Sequence, residues 1–335
     1  MIESPARARA IAIVTAVLGL LVATTVIGYF NFHAVLAAMR PIGVGGFLTV
    51  VAAQVVLFAP LGLAWWLVAK VEIARAPAFM WGRLMREAAS DVLPFSQLGG
   101  IMIAARCTVL GGISTSVAFG SCVVDITIEM VAQLTYTLVG VALLAHRLGL
   151  GAHDNRLVFS MLGGLAIAAI VVGGFILMQQ RGLQLIEAMV HRLVPSAAAG
   201  AAAVSGVVRD AYRNPLLVSA CLALHIASWF GAAVGTWLIL VFIGRPLPFL
   251  SVVALESLLF AIRNAAFVVP SGLGVQEGAY ALLGPIFGLP AEAALALSLL
   301  KRARDISIGL PALLTWQIVE SRKALLAGRT ARESL

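Results

Sequence analysis

Charge is what this sequence has least of. Only 11% of its 335 residues are Asp, Glu, Lys or Arg, against roughly a quarter in an average soluble domain. A chain so poor in charge and 61% hydrophobic cannot clothe a water-facing surface, and no hydrophilic stretch is long enough to make a soluble domain. Cysteine is scarce as well. Cys107, Cys122 and Cys221 lie within apolar runs and form no C-x-x-C, so they read as small buried hydrophobes and no metal site is expected of them. The usual hydrolytic signatures are missing too. Without G-x-x-x-x-G-K-[ST] there is no P-loop nucleotide chemistry, and without H-E-x-x-H or G-x-S-x-G no zinc-peptidase or nucleophile-elbow chemistry. No cofactor is expected. The net charge of +8 is not gathered into a stripe, which argues against nucleic acid as a partner.

What is present is a series of apolar runs of about 20 residues, the length needed to cross a bilayer. The fold class expected is all-α: a polytopic helical membrane protein. Helices are predicted near Ile11–Phe30, Gly46–Ala69, Val117–Ala145, Val158–Met178, Leu216–Ile243 and Ala291–Val319. The first run is too long for a cleavable signal core, so it reads as a retained membrane helix. Lys70, Arg75, Arg83 and Arg86 read as a basic interfacial segment. The 179–214 connection reads as an amphipathic surface element, with Ala197–Ala203 a linker by composition.

Two stretches break the apolar pattern. Val268 to Gly278 carries Pro270, Ser271, Gly272, Gly274 and Glu277; a weaker copy, Leu93 to Gly100, carries Pro94, Gly99 and Gly100. In hydrocarbon a freed backbone group must find a partner, so such breaks persist only inside protein or beside a wet cavity. If residues 93–113 dip into the membrane and return, fourteen Lys and Arg (from Arg7 through Arg83 and Arg86 to Arg332) fall on one side. Only Arg40, Arg147, Arg156 and Arg245 fall on the other. That asymmetry favours a re-entrant segment and cytoplasmic termini. Three helices then separate the two breaks, so a second re-entrant region at 249–288 enters from the opposite face. The expectation is a single membrane domain over 1–335 with inverted-topology halves, 1–157 and 158–335, an arrangement that places transport sites near the midplane.

Ten charges lie in or beside these segments: Arg106, Arg263, Lys301, Arg302 and Arg304 against Asp125, Glu129, Glu256, Glu277 and Asp305. Even on the cheaper insertion scale a lone central charge costs about 2.5–3.5 kcal/mol, so mutual pairing is expected. Asp125 and Glu129 share a helix face four residues apart and need a cation, from Arg106 or the 301–304 cluster. Lys301 or Arg302 could pair locally with Asp305. The cluster belongs either at depth within one helix or at a local break. Structural ion pairing is the competing reading. His225 reads as a hydrogen-bonded packing residue, Gly231-x-x-x-Gly235 as a close helix contact, and Asn264 as a polar partner of the second loop.

Pro270-Ser271-Gly272-Leu273-Gly274-Val275-Gln276-Glu277-Gly278, followed by Leu299-Leu300-Lys301-Arg302-Ala303-Arg304-Asp305, resembles the transmembrane-domain family of lysylphosphatidylglycerol synthases. Leu93-Pro94-Phe95-x-x-Leu98-Gly99-Gly100 and Val124-Asp125-x-x-x-Glu129 fit the same pattern. Within the family the chain looks most like the bacterial hopanoid-biosynthesis-associated membrane protein. Larger members carry an aminoacyl-transferase domain after the membrane part. None follows here, so the resemblance implies lipid movement between leaflets rather than lipid aminoacylation. Family members often show a second glycine after the loop proline, where this chain has Ser271.

These readings converge on an inner-membrane lipid transporter or flippase with hopanoid-type or other polar-headed lipids as cargo. Arg106, Arg263, Lys301, Arg302, Arg304, Pro270, Gly272, Gly274, Gly99 and Gly100 would meet the head. Asp125, Glu129, Glu256, Glu277 and Asp305 would balance charge or couple to protons. Membrane lipids are the expected partners, with lipid-biosynthesis or lipid-export proteins as further candidates. Two alternatives from other classes stay open: a non-catalytic scaffold for lipid-synthesis enzymes, and an intramembrane lipid-modifying enzyme.

Overall fold

A computed structural model describes residues 32–93, 96–147, a few positions between 163 and 174, 198–266 and 269–333. The helix expected at Ile11–Phe30, most of that at Val158–Met178 and the 179–197 part of the connection lie outside these residues. Among the described residues the chain is helical, with no strand. In order come α1 (Phe32–Met39), α2 (Gly43–Ala69), α3 (Ala76–Val92), α4 (Ser96–Leu110), α5 (Thr115–Arg147), α6 (Ala198–Tyr212), α7 (Pro215–Phe242), α8 (Phe249–Ala265), α9 (Val275–Leu283) and α10 (Ala291–Glu333).

Among the described residues, three stretches are long and apolar enough to cross a membrane: His33–Ala69, Thr115–Arg147 and Pro215–Phe242. Their ends carry the expected stop and start chemistry. Lys70 closes α2 in a left-handed conformation, φ 52°. Asn214 caps α7 by accepting from the Leu217 N–H at 3.2 Å, with Pro215 at the first helical position, where a missing N–H costs nothing.

Residues 70–92 correct one expectation. In place of a basic interfacial loop, their greater part, from Ala76, forms α3, with Arg83 and Arg86 buried on it. Leu93 is extended, ψ 146°, as a residue before proline should be, and the chain turns back into α4. Cβ atoms built at Gly100 and Gly111 would meet α3 at Arg86–Ser90 and Ala78, respectively. The far end of α4 thus pairs with the start of α3, and the two helices form an antiparallel hairpin. At about 25 and 22 Å they are shorter than a ~30 Å hydrocarbon core. The second break has a similar outline: α8, a turn with a 3-10 segment at Pro270–Gly272, then α9. That 3-10 segment packs against α3.

Two further expectations change. Ala197–Ala203, read as linker, belongs almost wholly to α6, because alanine favours helix and Val207 packs on Gly120 of α5. Asn264 reaches Gln133 of α5 rather than the loop. Of the two placements open for the 301–305 cluster, the structure has the one within a continuous helix, α10. Gly231 does mark a close contact: a Cβ there would come within 2.3 Å of Leu57 on α2. One apolar core, around Leu255, Leu259, Ile239 and Tyr136, joins α5, α7, α8 and α10. A second, around Trp65, Phe79, Val124 and Ile128, joins α2, α3 and α5 and takes in residues of α4, α6 and α7.

Candidate functional site: two buried charge networks

Asp125 and Glu129 find their cations on α3. Arg83 grips Glu129 with both terminal nitrogens, at 2.9 and 2.5 Å, and holds Glu87 of its own helix at 2.9 Å. Arg86 reaches Glu129 at 2.7 Å. Both guanidiniums lie 3.7 Å from Asp125 Oδ2, whose other oxygen lies 2.9 Å from His225 Nε2 on α7. Arg106 does not take part: its side chain is 51% exposed and paired with Glu320 at 2.7 Å. The expected partners were therefore the wrong ones. Arg106 sits on the outer face of α4, and α10 faces the other network.

Cys221 and His225, four residues apart on one face of α7, present donors that with Asp125 fall within 4.8 Å of one another. The trio is close enough to share a metal ion, a juxtaposition that the reading of the cysteines as hydrophobes did not foresee. The two guanidiniums beside Asp125 oppose a dication there.

The second network surrounds the second break. Lys301 donates to Glu256 at 2.5 Å and to the Tyr280 hydroxyl at 2.8 Å, and Tyr280 in turn donates to Glu256. Its ammonium also sits 5.4 Å from the Phe260 ring centre. Arg302 pairs with Glu277 through Nε and, at 3.0 Å, through Nη2. Its terminal nitrogens also donate to the carbonyls of Ser271 and Gly272 at 3.2 and 3.1 Å. Glu277 meanwhile accepts from the Gly274 N–H at 2.9 Å and from Ser298 at 3.2 Å. Arg302 and Glu277 thus supply the partners that the broken backbone lacks. Ser271 adopts φ 53°, ψ 13°, a left-handed conformation in which glycine is unstrained. Gly272 and Gly274 have φ of 58° and 77°.

Local pairing of Lys301 or Arg302 with Asp305 is not found. Asp305 is taken by its neighbour Arg304, at 2.7 and 2.9 Å. Arg304 packs toward Gly235 of α7. Arg263 stands apart in what it joins. It donates to Gln276 at 3.1 Å and to Asp91, at the C-terminal end of α3, at 3.3 Å. This contact ties the tip of the first hairpin to the tip of the second. Asp91 (26% exposed), Arg263 (20%), Arg302 (18%) and Asp305 (17%) are partly open, whereas the Lys301 and Glu256 side chains are 3% and 0% exposed. Gly100 serves close packing on α3; Pro94 lies outside the described residues.

Fold and site together define a polytopic helical membrane protein whose interior ions are paired across two chain breaks. The profile of the family described as "Lysylphosphatidylglycerol synthase TM region" matches residues 10–311, and the chain belongs to that membrane-associated, lipid-related family. Comparison with curated proteins and with solved structures returns no match.

Proposed function

We propose that the protein moves polar-headed lipids between the leaflets of, or out of, a bacterial inner membrane, hopanoid-type lipids being the suggested cargo. The α3–α4 and α8–α9 hairpins are taken as opposed re-entrant elements of two inverted halves, with both termini cytoplasmic. The observation that carries the reading is the Asp91–Arg263 contact at 3.3 Å. Charges on the two hairpins meet where the backbone is broken, and an ion pair that is partly open can exchange its protein partner for a polar head. On this reading Arg263 and Arg302 face the head. Lys301 and Arg304 hold the bundle together, and lipid tails stay in the bilayer. Burial of Arg83 and Arg86 removes two cations from the basic face on which a scaffold role rested.

The test is transfer of head-labelled lipid in vesicles of phosphatidylcholine and phosphatidylglycerol carrying the purified chain, with a labelled hopanoid in a parallel arm. Arg302→Glu or Glu277→Arg should abolish transfer while leaving folded protein in the membrane. Wild-type rates in both variants contradict the proposal.

A further inference from the structure

We infer that Asp91 is a resident competitor on Arg263: with one oxygen it holds the guanidinium edge that an oxyanion of the lipid head fills with two. The inference rests on the transport reading above and names the chemistry of the group that is moved. Two arginines face that group, and their hydrogen bonds separate them. All three nitrogens of Arg302 are engaged. Nε and Nη2 hold Glu277, while Nη1 and Nη2 donate to the carbonyls of Ser271 and Gly272. Its acid is 1% exposed, so letting go of Glu277 would leave an unpaired carboxylate in the interior. Arg302 is committed to the broken backbone.

Arg263 is held more lightly. Nη1 donates to Gln276 Oε1 at 3.1 Å and Nη2 to Asp91 Oδ1 at 3.3 Å; among the described residues Nε has no acceptor. Nε and Nη2 form one edge of the guanidinium, a fork that takes two oxygens of a carboxylate or phosphate side by side. Asp91 meets this fork with a single oxygen, and at more than the ~2.7–2.9 Å of a strong charge-assisted bond. Being 26% exposed, it can be released into water. An oxyanion arriving on the fork replaces Asp91 charge for charge and gains the bond at Nε.

Three neighbours keep the fork fixed and open. Gln276 is buried and is itself anchored, donating to the Ser298 hydroxyl at 3.0 Å and to the Ser298 carbonyl at 3.3 Å. The Phe260 ring centre lies 5.9 Å from the guanidinium carbon. Gly272, at φ 58°, faces Nε, and a Cβ there would lie 3.2 Å from it. A side chain at 272 would therefore cover the half of the fork that Asp91 leaves free.

Asp91 then acts twice. It weakens capture of the head, and it supplies the carboxylate that displaces the head at release. Removing its charge should tighten binding and slow turnover together.

The experiment is calorimetric binding to the purified full chain in uncharged detergent. The probes are a short-chain phosphatidylglycerol, a short-chain diacylglycerol and inorganic phosphate. Wild type should bind the phosphatidylglycerol and not the diacylglycerol. Asp91→Asn should bind it about tenfold tighter, and Arg263→Lys, which keeps the charge without the fork, about tenfold weaker. In vesicles, Asp91→Asn should half-saturate at a lower phosphatidylglycerol content yet reach a lower maximal transfer rate, a split that a loosened fold does not produce. Equal affinities in wild type and Asp91→Asn overturn the inference. Should that variant fail to fold, the wild type still decides, because diacylglycerol binding as tightly as phosphatidylglycerol overturns it too. Inorganic phosphate binding as tightly as the phosphatidylglycerol would make the fork a site for a free anion and overturn the assignment to a lipid. Transfer of a neutral-headed lipid at the rate of phosphatidylglycerol overturns the inference and leaves the transport reading intact. No transfer of any lipid overturns the transport reading, even where the fork binds phosphatidylglycerol.

Discussion

Replacing Lys301 by Met removes the cation from a pocket in which Glu256 is 0% exposed and is held by Lys301 and the Tyr280 hydroxyl. An uncompensated buried charge costs about 3–5 kcal/mol, whereas exchanging a whole buried pair for neutral groups of similar volume is often close to neutral. Lys301→Met and Glu256→Gln should therefore each cost about 3 kcal/mol or more, and the double variant far less than their sum. The coupling energy expected from the cycle is about 2–3 kcal/mol. Unfolding in mixed micelles by denaturing detergent, followed by helical circular dichroism, measures all four corners. Because Lys301 is assigned to holding the bundle together, the double variant should also retain lipid transfer in vesicles. Single costs that add to within about 0.5 kcal/mol, or a stable double variant that moves no lipid, would refute the reasoning.

Three further outcomes follow from the packing and the backbone. Gly140→Ala places a Cβ 1.6 Å from Ser257 Oγ and 2.7 Å from its Cβ, so α5 and α8 must separate at a cost of about 1–3 kcal/mol; adding Ser257→Gly should recover most of it in a thermal melt. Ser271→Gly relieves a left-handed residue at φ 53° and should stabilise by up to about 1 kcal/mol, read as a small rise in melting temperature. Asn214→Ala removes the cap on α7 and should cost about 1 kcal/mol with lipid transfer unchanged.

Much of this architecture was legible because hydrocarbon tolerates few exceptions. Apolar runs located α2, α5 and α7 to within a few residues, and the glycine and proline at 268–278 marked a true break. Compensation among interior charges was foreseeable from insertion cost alone, and Lys301 to Asp305 lie within one helix. The partners were not foreseeable in the same way. Arg83, Arg86 and Glu87 lower the apolar character of α3 until it looks like a charged loop between two spans, which is how positive-inside counting treats it. A usable signal was present nonetheless. Asp125 and Glu129 needed two cations on one facing helix, and Arg83 and Arg86, three residues apart, are such a pair. Asp91 carried no signal, because its role comes from where two hairpin tips meet in space. Residues 198–203, the described part of the stretch read as linker, were misjudged for a different reason: alanine without apolar periodicity looks like linker, although its propensity is helical.

The proposed lipid movement depends on the junction between the two hairpins, and charge exchange across it is the most direct measurement. In vesicles containing head-labelled lipid, Asp91→Arg and Arg263→Asp should each stop transfer, since each places like charges about 3 Å apart at the partly open junction. Combined, they restore the pair with its sign reversed, and transfer should return to a substantial fraction of the wild-type rate. Full activity in either single variant, or a double variant no better than its parents although folded, would contradict the claim that lipid movement depends on this contact.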